Sequence, residues 1–573
     1  MPLFTSSKKH SQAFLSPLMA SRIFFHSQIL TFLLIFSASS ALPNSSQKDP
    51  DYLKFVSNAT EFPKVDYYDY IIVGGGTAGC PLAATLSNKF RVLVLERGGF
   101  PHGNSNLMSQ EGFLTTLMDD VHSRYSPVQA FTSEEGVPNA RGRILGGSSA
   151  INAGFYSRAD QAFFKNSQLK WDLAIVNQSY EWVEKEIVFK PNLKNWQSAV
   201  RDGMVEAGIT PYNGFSLDHV IGTKIGGSTF DELGRRHSAA DLLSYATPFN
   251  IKVAIYATVE RILLGSTVKR KPKAIGVLYR DQIGKYHHAM LHARGEVFLS
   301  AGAIGSPQLL LLSGIGSRPY LSSWGIPVVH HLPYVGHYLY DNPRTGISIL
   351  APMPLEQSLI QVAGITESGT YLEAASNVIP FTTPPRSFFI RTPSPPVYLT
   401  VATLMEKITG PVASGAMRLA STDVRVNPVV RFNYFGNAVD LERCVNGTRK
   451  IGDILRSQAM EGFKFRDWFG RKEFRFVGPA YPEDGDEDGL VLREFCRQSV
   501  STIWHYHGGC VAGKVVDSNY RVMGMEALRV VDGSIFGVSP GTNPQATVMM
   551  LGRHVGLQII NQRSAVTTHH VVY

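Results

Sequence analysis

Cysteine is scarce in this chain: four occur in 573 residues, with no CxxC pair and no His/Cys cluster at metal-ligand spacing. No metal centre is therefore expected. Long apolar runs are missing too. The best of them, Ile29 to Phe36, is far shorter than the roughly 20 residues that span a bilayer, and no later segment matches it in length and apolarity. A stable membrane span is thus not expected. Basic charge is in excess but spread thinly: 55 Lys and Arg stand against 46 Asp and Glu, with no run of five or more basic residues. A nucleic-acid-binding surface would want such clustering, so that class is set aside.

The N-terminus carries an address. Lys8, Lys9 and Arg22 precede the short apolar run, and Ser37-Ala38-Ser39-Ser40-Ala41 follows it. A positive lead, a short apolar centre and small residues at the end predict a secretory signal over 1–41, with Met19 as an alternative start. A secreted, extracellular protein is expected. The sequons at Asn44, Asn58, Asn177 and Asn446 suit a glycoprotein. In that oxidising compartment Cys444 and Cys496 could pair, though spacing alone leaves this open. Cys80 and Cys510 lie in glycine-rich stretches and are expected to be small buried residues.

At 573 residues the chain exceeds the roughly 250–300 at which one core stops growing, so at least two units are expected. Residues 42–65 are polar and contain proline, and predict a linker. The pattern then changes. Tyr70-Ile71-Ile72-Val73 is a short apolar run of the kind buried on both faces, Gly74 to Gly79 follows, and a helix-compatible stretch runs to Asn88. Arg91 to Glu96 supplies a second apolar strand ending in an acid. This is a βαβ unit. Strand-like runs recur at 253–259, 296–300 and 528–533, and 544–561 predicts a terminal helix. The intervening stretches hold more aromatics, prolines and charges. The expected architecture is α/β: a Rossmann-like dinucleotide domain over 66–160, 225–345 and 500–565, interrupted by a substrate-binding domain over 161–224 and 346–499.

Gly74-x-Gly76-x-x-Gly79 alone would say little. In its strand–turn–helix–strand context each glycine meets a separate steric demand. Gly74 makes the tight turn, Gly76 admits a pyrophosphate, and Gly79 lets helix and strand approach. Glu96 would accept hydrogen bonds from a ribose diol, and the pyrophosphate would sit at the positive helix end. A plain turn with a solvated Glu96 is the competing reading, which the context disfavours. These residues do not distinguish FAD from NAD.

A second glycine-rich block, Gly142-Arg143-Ile144-Leu145-Gly146-Gly147-Ser148-Ser149-Ala150-Ile151-Asn152, is followed by Gly302 to Gly316 and by His505-x-x-Gly508. In that order they resemble the signature blocks of the glucose-methanol-choline (GMC) oxidoreductases, from about residue 66 to 565. The text Asn152 to Asp160 and Thr502 to Gly509 resembles the plant branch that holds mandelonitrile lyases and HOTHEAD-type proteins. The resemblance implies FAD. By position it places Thr77, Ala78, Glu96 and Arg97 at the adenosine end and Val259 at the adenine. Ile144, Ser148, Asn152, Ala153, Gly154 and Phe155 would lie along the isoalloxazine and ribityl. Trp504 is included beside the flavin, and Asp532, Gly533, Asn543 and Pro544 would hold the ribityl and pyrimidine edge. A Cys444–Cys496 disulfide is also implied.

Oxidising an alcohol requires loss of the hydroxyl proton and transfer of a hydride. A placed imidazole accepts the first near neutral pH, and a hydrogen-bonding group holds the developing alkoxide. His505 matches the family base and Asn543 the second position. A lone histidine is more often structural, which is how His507 is read. Asn543 before Pro544 is also a normal helix start, with Asn at N-cap and Pro at N1. In the lyases the second position is histidine and a pocket cysteine falls near Glu373. Both departures favour alcohol oxidation, for which long-chain ω-hydroxy fatty acids are the implied substrates. The alternatives are a hydroxynitrile lyase and a non-catalytic secreted relative, the latter because the Pro-rich segment near 374–410 reads as shortened.

Overall fold

The computed structural model describes residues 49–118, 123, 125–265, 271–377, 400–482, 489–541 and 543–569. The expected signal segment, the Pro-rich 378–399 and the acidic turn 483–488 lie outside the described residues.

Apolar runs with no polar face can only be buried on both sides, and here they form the centre of a parallel sheet. Its strands run in the order Val56–Asn58, Ile251–Ile255, Val92–Leu95, Val65–Val73 and Tyr286–Leu299, all parallel. The long Tyr286–Leu299 strand has two further partners. Lys273–Arg280 pairs antiparallel with its first half and Leu528–Val530 parallel with its last residues. Thr258–Gly265 closes the antiparallel edge. The run expected as one strand over 253–259 is thus two. The chain turns at Tyr256, whose φ of 55° breaks the extended backbone.

Residues 51–65 are not a linker. Tyr52, Ala59 and Phe62 are buried in the main core, and Val56–Asn58 adds an edge strand to the sheet. Polar composition concealed three apolar anchors. The terminal helix, Gln545–His569, is longer than expected and packs on the Gly79–Leu86 helix and on Leu173–Ile187.

A second sheet is mixed but almost wholly antiparallel, in the order Arg475–Phe476, Pro343–Leu350, Val401–Ile408, Thr370–Ser376, Val362–Ile365, Gly222–Ile225 and Tyr212–Phe215. Alternation sends its side chains to two different cores. Leu372, Ala374, Ala402, Leu404, Ile347 and Ile349 meet the Asn195–Glu206 and Ala438–Arg456 helices. Tyr371, Ala375 and Met405 face the other way, toward Ile151 and Phe155 of the first unit. Cys444 and Cys496 form a disulfide between Ala438–Arg456 and Leu490–Ser499. Cys80 and Cys510 are free and buried.

Candidate active site

Parallel strands all deliver their carboxyl ends to one side of a sheet, which is where open α/β folds bind ligands. Here that side opens into an elongated cavity of about 520 Å³ that runs between the two sheets.

One end is made largely of backbone. Gly74, Gly76, Thr77 and Ala78 line it with Glu96, Arg97 and Val259. The Glu96 carboxylate is fixed, one oxygen accepting from Gly75 N at 3.0 Å and the other from Gly98 N at 2.8 Å. Gly79 is not in the wall. A side-chain carbon there would stand 2.0 Å from the Gly74 carbonyl oxygen, so its absence lets the helix sit against the turn. Gly74 itself has φ of 101°, where L side chains are strained.

The middle is lined by Ser148, Asn152, Ala153, Gly154 and Phe155. Ile144 does not line it. Its side chain joins the apolar cluster of Val128, Phe113 and Ile151, because the Gly146–Gly147 turn carries the wall past it. Asn152 is a junction: its Oδ1 accepts from Gly154 N and Arg236 Nη1, and its Nδ2 donates to Gln545 Oε1.

The far end holds Trp504, His505, Asp532, Gly533, Asn543 and Pro544. Asp532 is held by Gly302 N, Ser306 Oγ and Ser534 N. His505 follows a strained residue, Trp504, with φ of 60°. The clamp is Asp341, which accepts from His505 N at 2.9 Å, Thr502 Oγ1 at 2.6 Å and the Tyr434 hydroxyl at 2.6 Å. Burial lifts the Asp341 carboxyl to about 6 against those three donors. Burial, with the Lys407, His507 and Arg344 charges, holds the His505 imidazole well below the usual histidine range, so it is neutral and able to accept a proton. His507 points away. It stacks on Tyr340 and its Nδ1 meets the His505 carbonyl.

Asn543 is not the helix cap expected of it. The helix opens at Gln545, the Pro544 carbonyl accepts from Val548 N, and Asn543 Oδ1 accepts instead from Lys407 Nζ at 2.8 Å. Lys407 in turn contacts Glu373 at 3.1 Å. Asp341, Arg344 and Lys407 escape sequence reasoning, which reaches Glu373 only as the place of the lyases' pocket cysteine, though a signal exists. Charged residues inside strand-like apolar runs such as Val401 to Ile408 must be paired if buried.

Buried polar atoms need partners, and several lining residues lack one among the described residues: Gln129 Oε1, Arg141 Nε, Trp504 Nε1 and His505 Nδ1. With the glycine cradle and the fixed acid, the lining suits a dinucleotide.

Comparison with known proteins agrees with that arrangement. GMC oxidoreductase family models match residues 68–344 and 411–552. An Arabidopsis thaliana protein called (R)-mandelonitrile lyase-like is 64% identical, over 93% of this chain and 97% of its own length. The sinalpyl alcohol oxidase Nec3 of Nesocodon mauritianus is 47% identical, over 93% and 97% respectively. A variant of the formate oxidase of Aspergillus oryzae shares the fold, with a TM-score of 0.73 at 19% identity, covering 88% of this chain and 100% of that one. On these matches the chain belongs to the GMC oxidoreductase family.

Proposed function

We propose that this oxidoreductase holds FAD along the cavity and oxidises the CH–OH group of an alcohol, with His505 as general base. The observation that carries the reading is the meeting of a neutral, buried His505 and Asn543 at one end of a cavity whose other end is a glycine cradle with a fixed acid. When bound, the flavin supplies the hydride acceptor. His505 takes the hydroxyl proton, Asn543 donates a hydrogen bond to the oxygen as it gains charge, and the surrounding apolar wall of Ile360, Met405 and Phe155 limits water. Asp341 keeps the His505 backbone in place.

Asparagine cannot act as a base, so the residues favour oxidation over cyanohydrin cleavage despite the name carried by the Arabidopsis relative. Thr370–Ser376 and Val401–Ile408 pair without interruption from Thr370↔Ile408 to Ser376↔Ala402, which supports a well-formed pocket wall on both sides of 378–399. Export through the secretory pathway is supported by the disulfide and by exposed Asn177 and Asn446. Asn58 is half-buried and spends its side chain accepting from Thr60 N.

The test is anaerobic mixing of the flavoprotein with an aryl alcohol, an aryl-propenyl alcohol and an ω-hydroxy fatty acid. Bleaching of the flavin spectrum by at least one, with no cyanide released from mandelonitrile, is expected. Cyanide release without bleaching would establish the lyase instead, and a purified protein without flavin would establish the non-catalytic relative.

A further inference from the structure

Buried charges lie beside His505 and Asn543, and beyond their effect on the His505 imidazole the reaction as proposed makes no use of them. Arg344, Lys407 and Tyr371 lie opposite one another on three adjacent strands, in the register Arg344↔Lys407 and Lys407↔Tyr371. Glu373 stands two residues along from Tyr371 and so on the same face. Lys407 and Glu373 are almost fully buried, at 3% and 1% side-chain exposure. An ammonium and a carboxylate are costly to bury and stay only when paired. Here Lys407 Nζ reaches Glu373 Oε1 at 3.1 Å, Asn543 Oδ1 at 2.8 Å and the face of the Tyr371 ring at 4.1 Å.

An ammonium donates and never accepts, so the Asn543 atom it touches is the carbonyl oxygen. That leaves the Asn543 NH2 group, two donors and no acceptor, without a partner among the described residues, on a side chain that lines the cavity. We propose that Lys407, anchored by Glu373, is a positioning residue that locks the Asn543 amide so that it presents only hydrogen-bond donors to the substrate oxygen. The inference rests on the reading of Asn543 as the group that holds the developing alkoxide. The terminal torsion of asparagine has two broad, nearly equivalent wells, so nothing within Asn543 itself selects one. A turned amide would set a carbonyl oxygen against the alkoxide. Fixing the donor in advance costs nothing at the moment of reaction, which is where such groups gain their effect. Glu373 balances the ammonium, so the lock adds orientation without adding net charge.

The test uses the holoenzyme. Because Lys407→Met alone would strand the Glu373 charge, the main variant is Glu373→Gln combined with Lys407→Met, and Lys407→Arg serves as the conservative control. Two quantities are read: the rate constant of flavin reduction by benzyl alcohol, and the affinity for benzaldehyde, an acceptor-only ligand, from perturbation of the flavin absorbance. The double variant is expected to lose about 100-fold in reduction rate, the scale of one lost oxyanion donor, and about tenfold in benzaldehyde affinity. Adding Asn543→Ala should cost nothing further, since both changes remove one function, and Lys407→Arg should stay within about fivefold of wild type on the same scale. Wild-type values in the double variant, or a full additional loss on adding Asn543→Ala, overturn the lock. If no alcohol bleaches the wild-type flavin while benzaldehyde affinity still depends on Lys407 through Asn543, the lock stands and the alcohol reading falls. If benzaldehyde affinity is indifferent to Lys407 while benzyl alcohol bleaches the flavin at one rate in both proteins, the alcohol reading stands and the lock falls.

Discussion

At the Glu96 end of the cavity the walls are largely backbone and glycine from residues 74–97, one short continuous segment, with Val259 beside it. At the His505 end they are the side chains of Arg344, Trp504, His505 and Asn543, backed by Asp341, Glu373 and Lys407, and so drawn from the second sheet and from loops far apart in sequence. The first end is shaped by close backbone approach, since a side-chain carbon would stand 2.5 Å from the Ser300 oxygen at Gly74 and 2.0 Å from the Gly74 oxygen at Gly79. The second is tuned by buried charge: Lys407 and Arg344 help keep His505 neutral, Glu373 balances Lys407, and Asp341 holds the histidine backbone. Cofactor retention and chemistry should therefore fail separately.

The sharpest way to break that separation is at Gly79. Gly79→Ala puts a carbon 2.0 Å from the Gly74 oxygen, where backbone must move, and should yield protein with most of its flavin lost, read from the flavin-to-protein absorbance ratio. Retention of full flavin would show that the cradle is not a close-approach site. Next, His505→Ala should cut flavin reduction about 1,000-fold with the flavin still bound, since a general base contributes on the order of 10²–10⁴. Flavin loss in that variant would merge the two ends. Asp341→Asn should slow reduction by about 10–100-fold, through misplacement of His505 rather than loss of a proton acceptor; an unchanged rate would remove the clamp.

The smallest effect concerns pH. Burial disfavours the His505 imidazolium, so the base stays deprotonated to lower pH than an ordinary histidine, and the acid limb of flavin reduction should fall below 6.5. Asp341 titrates near 6 and contributes its own limb. In Asp341→Asn the limb that remains belongs to His505. A remaining limb above 6.5 would contradict the neutral, desolvated base.

Legibility followed the same divide. The Gly74–Glu96 unit could be read because one short segment makes strand, turn and helix, and each glycine answers a local steric demand. His505 and Asn543 were found through motif resemblance, but their settings were not. Asn543 was read as a helix cap, since Asn-Pro is a local cap signal. Its side chain went to Lys407, 136 residues away, because a buried ammonium must find an acceptor. Ile144 sits in a glycine-rich block yet turns into the core. Residues 51–65 appeared polar enough for a linker, while Tyr52, Ala59 and Phe62 tie them down.

By itself the sequence determined the α/β class, the dinucleotide turn and the family, because these depend on residues that are neighbours along the chain. Only the tertiary structure decided which charges share the His505 pocket and which way Asn543 is held. Those depend on the register of Thr370–Ser376 against Val401–Ile408, and a slip of one residue would send Glu373 to the opposite face.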